Sequence, residues 1–386
     1  MKKGHPIYNL RFGLLCLSSL LFSSSYNLLI PELPGYLSNL GGSQYIGLII
    51  SLFTLTAGLS RPFSGLLTDR VGRRPVMVFG AMVCLICGFM YPILGTVAGF
   101  LFLRLLHGFS TGFTPTAIAA YVSDIVPANR WGAAFGIQGV FFTSGLALGP
   151  ALGSTIKLYY SYDILFYSSS AMAFLSMLLI FKLRETLLER NRFKWGMLKI
   201  SKNDIISTAV FLPALMTFLA YFSFGMVLTL IPDWSDFLGF RNRGSFFVAF
   251  TIASLAIRFL AGSASDRMGR KFIVTIGLLI LISALLVMMF LQTKTGLLTA
   301  AIIYGLAMGI LSPALNAWTV DLSPSNERGK GISTMFIALE AGIGLGALLS
   351  GWYYRESYQN IPHTMLGCAF LAMVGLAFLS YWKKRS

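Results

Sequence analysis

The chain has 386 residues, 56% of them hydrophobic and 11% charged, with a mean hydropathy of +0.73. A soluble domain carries roughly twice that share of charge, so composition argues against a water-soluble globule and for the bilayer as solvent. The formal charge of +16 raises nucleic acid as a partner. The cations, however, gather in alternate loops between apolar runs, which is the signature of membrane topology, and nucleic acid is set aside.

A spanning helix needs roughly 20 apolar residues. The apolar runs predict helices over 10–30, 45–67, 76–95, 98–122, 132–154 and 162–183, then over 207–230, 244–264, 272–292, 295–320, 328–353 and 362–382. The expected fold class is therefore an all-α membrane protein of twelve transmembrane helices. Lys2 and Lys3 ahead of an apolar run superficially resemble a signal peptide. That run continues to Ile30 with no clear cleavage site, so it is expected to remain as the first span. The polar stretch from Arg184 to Asp204 includes Glu185, Glu189, Arg190, Arg192, Lys194, Lys199 and Lys202. It divides the chain into residues 1–183, a linker 184–206, and residues 207–386, and it has room for an amphipathic surface helix. Even-numbered connections carry Arg70, Arg73, Arg74, Arg130, Arg267, Arg270, Lys271, Arg328 and Lys330, while the others carry mainly Lys157, Arg241, Arg243, Lys294 and Arg355. Both termini and the even connections are thus expected in the cytoplasm of a multi-pass inner or plasma membrane protein of bacterial type.

The chain repeats itself. Arg61, Gly65, Asp69, Arg70, Gly72, Arg73 and Arg74 recur as Arg258, Gly262, Asp266, Arg267, Gly269, Arg270 and Lys271 at an offset of 197 residues. Gly108 and Gly112 recur as Gly305 and Gly309, Asp124-x-x-Pro127 as Asp321-x-x-Pro324, and Gly145 and Gly149 as Gly342 and Gly346, all in the same register. Many matches at one offset mean duplicated halves. Parallel six-helix halves are a transporter architecture. Over nearly its whole length the chain resembles the major facilitator superfamily, and within it the twelve-helix drug:proton antiporter group. The loop Gly65-x-x-x-Asp69-Arg70-x-Gly72-Arg73-Arg74 is similar to that family's motif A, and its echo follows the eighth span. The resemblance implies two pseudo-symmetric six-helix bundles.

The candidate residues follow in chain order. Glu32, in Pro31-Glu32-Leu33-Pro34, ends the first span in a pattern similar to a further family motif, and is an interfacial candidate for carrying protons. Arg61 and Arg258 lie about two turns inside the Asp69 and Asp266 turns. A cation in hydrocarbon costs at least ~2.5 kcal/mol. Each is expected either to snorkel to the interface or to pair with the carboxylates of the turns. Gly65 is expected to let another helix approach, and Gly72 to permit a tight turn. The turn residues Asp69, Arg70, Arg73 and Arg74, with Asp266, Arg267, Gly269 and Arg270, anchor the topology. The resemblance implies that they also act as a cytoplasmic latch between the halves.

Arg104, His107, Gly108, Thr111, Gly112 and Pro115 share one helix face, and such a polar face is expected to line a cavity. Arg104-x-x-x-Gly108-x-x-x-Gly112 resembles the family's motif B, whose Arg is associated with proton coupling; Ala301 stands at the matching place in the second half. His107 is a satisfied core residue or a participant. Gly136, Gly145, Gly149-Pro150 and Gly153 have the spacing of the antiporter motif, motif C, which implies export in exchange for protons. Ordinary glycine packing is the alternative. Glu340, mid-span in the eleventh helix, has Thr143 as its repeat counterpart. An intramembrane carboxylate is a functional candidate by default, here for proton coupling against a cation of the facing half.

Tyr26, Asn27, Gln138, Phe142, Tyr221 and Phe222 are candidates for a cargo cavity, alongside Ser19 and Ser23. Asp233 and Asp236 are expected outside the membrane. Cys16, Cys84, Cys87 and Cys368 all lie in apolar runs and read as small packing residues. A Walker-type phosphate loop is absent and no cofactor is expected. The expected function is a monomeric, non-enzymatic secondary transporter in the bilayer, exporting a small amphipathic compound in exchange for protons. A symporter or facilitator importing a nutrient, and a non-transporting membrane sensor or assembly protein, are the rivals.

Overall fold

Apolar runs of this length leave backbone N–H and C=O groups no water to bond, so each closes its own hydrogen bonds as a helix. The computed structural model describes residues 9–127, 130–187, 191–199, 206–324 and 328–383, with the side chains of 131–133, 259–267, 328–329 and 382–383 outside the description. The described residues form thirteen α-helices and no strand. They are α1 (Leu10–Asn27), α2 (Leu33–Asn39), α3 (Ile46–Arg70), α4 (Arg73–Met90), α5 (Val97–Ile125), α6 (Trp131–Tyr159) and α7 (Tyr162–Phe181), then α8 (Phe211–Phe237), α9 (Ser245–Met268), α10 (Arg270–Phe290), α11 (Lys294–Leu322), α12 (Arg328–Tyr354) and α13 (Asn360–Lys383).

All but α2 correspond to the twelve predicted spans. Nine stretches are apolar and long enough to cross a membrane among the described residues. The serine-rich α1 and the Arg104-bearing α5 are not among them. The short α2 begins with Pro34 in its first turn, where the missing N–H costs nothing. The predicted gaps at the charged turns shrink. Gly72 (φ 131°) and Gly269 (φ 90°) each turn the chain in a left-handed conformation, so α3 and α9 run on to the very edge of α4 and α10. The repeat extends to the caps: Thr96 and Thr293 accept the N–H of Gly99 and Gly296 at the starts of α5 and α11.

Helices α1–α7 pack chiefly on one another, as do α8–α13. Two seams join these sets, α3 against α12 and α6 against α9. The seams are tight at the end that carries Glu32. There a single apolar core runs from Leu28, Leu33, Ile46 and Ile49 into Met226, Leu230, Ile231 and Trp234. At the end that carries Asp69, a separate core of Phe12, Leu15, Leu67, Met77, Tyr121 and Ile180 belongs to the first set alone.

Candidate functional site

The α3/α12 seam is built on small residues. A Cβ on Gly47 would lie 2.9 Å from the Ala347 carbonyl oxygen, one on Gly351 would meet the backbone of Gly47, and one on Gly58 would meet the Glu340 side chain at 3.2 Å. Small residues let the helix backbones meet, and this close approach carries Arg61 to Glu340. The Arg61 guanidinium donates to Glu340 Oε1 at 2.9 Å, and the two side chains are 12% and 9% exposed. The same guanidinium lies 4.7 Å from the centre of the Phe336 ring, a further favourable contact for a cation. Arg61 thus neither snorkels to the interface nor joins the carboxylates of the Asp69 turn. Helix packing brings a nearer acid to it from the other half.

The α6/α9 seam is the counterpart of this one in the repeat. Gly244 stands 197 residues after Gly47 and packs against Pro150, whose counterpart is Ala347. Arg258 corresponds to Arg61 and reaches Thr143, the counterpart of Glu340, by a hydrogen bond of 3.3 Å. Among the described residues neither Arg258 Nε nor Arg61 Nε meets a hydrogen-bond acceptor. This arginine also departs from the sequence expectation: its contact is a hydroxyl across the seam.

At the Glu32 end, the α8–α9 loop grips the first set of helices. Arg243 donates to the Pro31 carbonyl at 3.3 Å and lies 3.9 Å from Glu32, while two of its nitrogens hold Asp236. Asn242 donates to the Ala151 carbonyl at 3.3 Å and to Thr155 at 3.1 Å. Ser154 donates to Glu32 Oε1 at 2.7 Å. Glu32, expected at the interface, is buried, because the loop and α6 close over it. Burial pushes the Glu32 carboxyl above the usual carboxylate range, against the opposing pull of Arg243 and the Ser154 hydrogen bond. Asp233 and Asp236, expected beyond the seventh span, lie in the last turns of α8. These contacts come from a loop arginine and asparagine, and only their excess polarity in a short connection marks them in sequence.

At the Asp69 end, every ion pair among the described residues stays within one half. Arg73 reaches Asp124 at 2.9 Å, Asp69 at 3.3 Å and the Thr68 carbonyl at 2.7 Å. Arg270 repeats the first contact with Asp321 at 2.8 Å. The Asp69 side chain is 72% exposed. Gly65 has no described atom within 4 Å of where a Cβ would stand, so it seats no helix in this conformation. The Arg70 carbonyl accepts from Asn191 N–H, and Arg74 lies over the Phe181 ring at 5.3 Å. Glu185, one charge among many in the polar stretch, has a place that its sequence context does not reveal. Its carboxylate accepts the N–H groups of Arg73 and Arg74 at 3.0 and 2.9 Å, where the start of α4 favours negative charge. Gly262, Asp266 and Arg267 fall within the α9 backbone, with side chains outside the described ones.

The polar face of α5 does not line a cavity. Cβ atoms on Gly108 and Gly112 would strike Phe53, Thr56, Ala57 and Ser60 of α3, so α3 fills that face. Arg104 is fully buried there. It donates to the Ile49 carbonyl at 2.8 Å and lies over Phe53 at 4.6 Å and beside Tyr91 at 3.4 Å. His107 bridges Cys84 and Tyr91, each at 3.1 Å. Three motif C glycines seat α6 on α1: Gly145 against Ser23 and Ser24, Gly149 against Asn27, and Gly153 against Leu28. Gly136 has open space instead.

The cargo candidates divide. Asn27 donates to the Ser23 carbonyl of its own helix, and Phe222 is buried with its backbone against Gly346. Phe142 packs against the core of the first set. Tyr26 stacks near Phe22 and Phe53, Gln138 donates to Ser19 at 2.9 Å, and Tyr221 lies beside Ser312 and Arg258.

Two duplicated helix sets meeting along two equivalent seams, with ionisable side chains in the seams, define a membrane transporter architecture. The family model of the Major Facilitator Superfamily matches residues 15–253 and, in a second match, 213–386. The chain belongs to the major facilitator superfamily. It is 24% identical over 375 residues to multidrug resistance protein 2 of Bacillus subtilis (strain 168), covering 93% of this chain and 91% of that protein. It is 27% identical over 380 residues to multidrug resistance protein MdtG of Salmonella typhi, covering 93% and 88%. Among solved structures, the human organic anion transporter MFSD10 aligns with a TM-score of 0.74 at 21% identity, covering 96% of this chain and 100% of that one. The D-xylose-proton symporter aligns at 0.77 with 16% identity, covering 95% and 96%. These structural likenesses establish the all-α fold, and the family match makes the chain a multi-pass membrane transporter.

Proposed function

We propose that the chain is a proton-coupled exporter of small amphipathic organic compounds, working by alternating access between residues 1–183 and 207–386 in the inner or plasma membrane. The observation that carries this reading is the Arg61–Glu340 pair. It crosses between the halves at a distance from both ends, where a carboxylate that gains or loses a proton changes what holds the halves together. Ionised, Glu340 neutralises Arg61; protonated, it leaves the guanidinium without its counter-charge, and the seam weakens. With the Asp69 turns in the cytoplasm, a gripped Glu32 end and an exposed Asp69 describe an inward-facing state. The motif A turns would then engage across the halves only in the opposite state. Export is favoured by the motif C spacing and by the two multidrug resistance relatives.

The test is flux in proteoliposomes with the protein oriented by protease protection. On the export reading, adding cargo to the cytoplasmic face collapses an imposed proton gradient, and Glu340→Gln abolishes that collapse. Cargo that enters together with protons would instead make the chain a symporter. Binding without movement would make it a sensor.

A further inference from the structure

The twin seams differ in what each arginine is given. Arg61 has two partners on α12, the Phe336 ring on one side and the Glu340 carboxylate on the other. Their counterparts on α6 are Gly139 and Thr143. Arg258 therefore meets a hydroxyl where its twin meets a carboxylate, and a glycine stands where its twin meets a ring. Among the described residues no atom lies within 4 Å of a Cβ at Gly136 or Gly139. Gly136, Gly139 and Thr143 share one face of α6, at spacings of three and four. That face leads from the Asp69 end to Arg258. Among the described residues no carboxylate pairs with Arg258.

We propose that this notch is a cargo subsite for an aromatic anion: a planar apolar ring bearing one carboxylate or sulfonate. The ring takes the place that Phe336 fills in the twin seam, over Gly139. The anionic group takes the place of the Glu340 carboxylate, against the Arg258 guanidinium, whose paired N–H donors match two anionic oxygens. Tyr221 and Thr143 offer hydroxyls beside it. The requirement for a single negative charge follows from the seam itself, since a guanidinium in a membrane interior demands a counter-charge and α6 supplies none. The proposal rests on the reading of the chain as a transporter of small organic compounds and names the class of cargo.

Three probes share one fluorophore and differ in charge: dansylglycine (anion), dansylamide (neutral) and dansylcadaverine (cation). Binding is followed by fluorescence enhancement with the full-length protein in nanodiscs of uncharged lipid. Dansylglycine should bind about tenfold or more tighter than dansylcadaverine, the scale of one charge-assisted contact. Arg258→Gln should erase that preference and Arg258→Lys should keep most of it. Thr143→Glu, which gives Arg258 the partner its twin has, should exclude dansylglycine while sparing dansylamide. Equal binding of the three probes by the wild type, or a preference for the cation, overturns the subsite without any appeal to variants. So does an anion preference that survives both Arg258→Gln and Thr143→Glu. Because binding is read without flux or a proton gradient, loss of the subsite and loss of the exporter reading give separate results.

Discussion

The two seams descend from one, and setting them side by side shows what each has kept. Both retain the close backbone approach near the Glu32 end, Gly47 on Ala347 and Gly244 on Pro150. Both retain an arginine at the same depth. The α3/α12 seam adds a carboxylate and a ring; the α6/α9 seam substitutes a hydroxyl and an open glycine. Shape is shared: both seams place small residues where the helix backbones meet. Charge is not shared: among the described residues one seam pairs its arginine with a carboxylate and the other does not. A symmetric scaffold thus divides its roles unequally. One seam gives its arginine an acid, while among the described residues the other gives its arginine a hydroxyl.

The comparison breaks most visibly at Arg61. Arg61→Gln or Glu340→Gln alone strands a buried charge and should cost ~3–5 kcal/mol, whereas the double variant should recover much of that loss. Arg258→Gln removes one hydrogen bond to a hydroxyl but also a buried cation without a counter-charge, so it should be close to neutral or stabilising. Thermal unfolding of the purified variants reads the difference, and equal costs at the two arginines would erase the distinction between the seams.

Next in size is the grip at the Glu32 end. Arg243→Ala removes its contacts across the halves, to the Pro31 carbonyl and to Glu32, and should favour opening of that end by ~1.5–3 kcal/mol. Spin labels placed across the α8–α9 loop and α2 should then report a longer distance in a larger share of molecules.

The same end should respond to pH through Glu32. Its carboxyl is raised by burial in the gripped form and returns toward the ordinary range when water reaches it. The gripped form therefore takes up a proton as pH falls through the interval just above the ordinary carboxylate pKa. Mild acid should favour gripping and rising pH should loosen it. The groups facing Glu32 are Arg243, Ser154, Asp236, Lys157, Asp233 and Tyr162. Glu32→Gln should flatten the pH dependence of the spin-label distances, and a slope unchanged in that variant would assign the effect to another group.

The smallest effect belongs to Asp69. Its contact with Arg73 is exposed and local in this state, so Asp69→Asn should change stability by no more than ~0.2–1 kcal/mol. Its influence should appear as slower turnover, in the state where the turns engage across the halves.

The twelve long helices are legible in the sequence because a bilayer forces long apolar runs into helices wherever they occur. The seven-residue α2 is not, since no hydropathy window resolves a single tight turn beside two prolines. Arg61 and Glu340 stand out by being charged in apolar runs, but their pairing joins residues far apart in the chain, and no local spacing encodes it. The face of α5 misleads in an instructive way. Glycines and hydroxyls serve a water-filled cavity and a close helix contact equally well, and α3 decides for contact at Gly108 and Gly112. The Arg243 grip is hidden because its strength lies in burial under a loop, which composition does not show. Thr143 is visible only as the residue that is not Glu340, and the repeat makes that absence meaningful.

The most direct test of the central claim is proton-driven accumulation in proteoliposomes carrying either the wild type or Glu340→Gln, with insertion checked by protease protection. The account predicts that an imposed pH gradient drives uphill movement of a dansyl probe through the wild type and none through the variant. Uphill accumulation by Glu340→Gln at the wild-type level would contradict it and move proton coupling away from the α3/α12 seam.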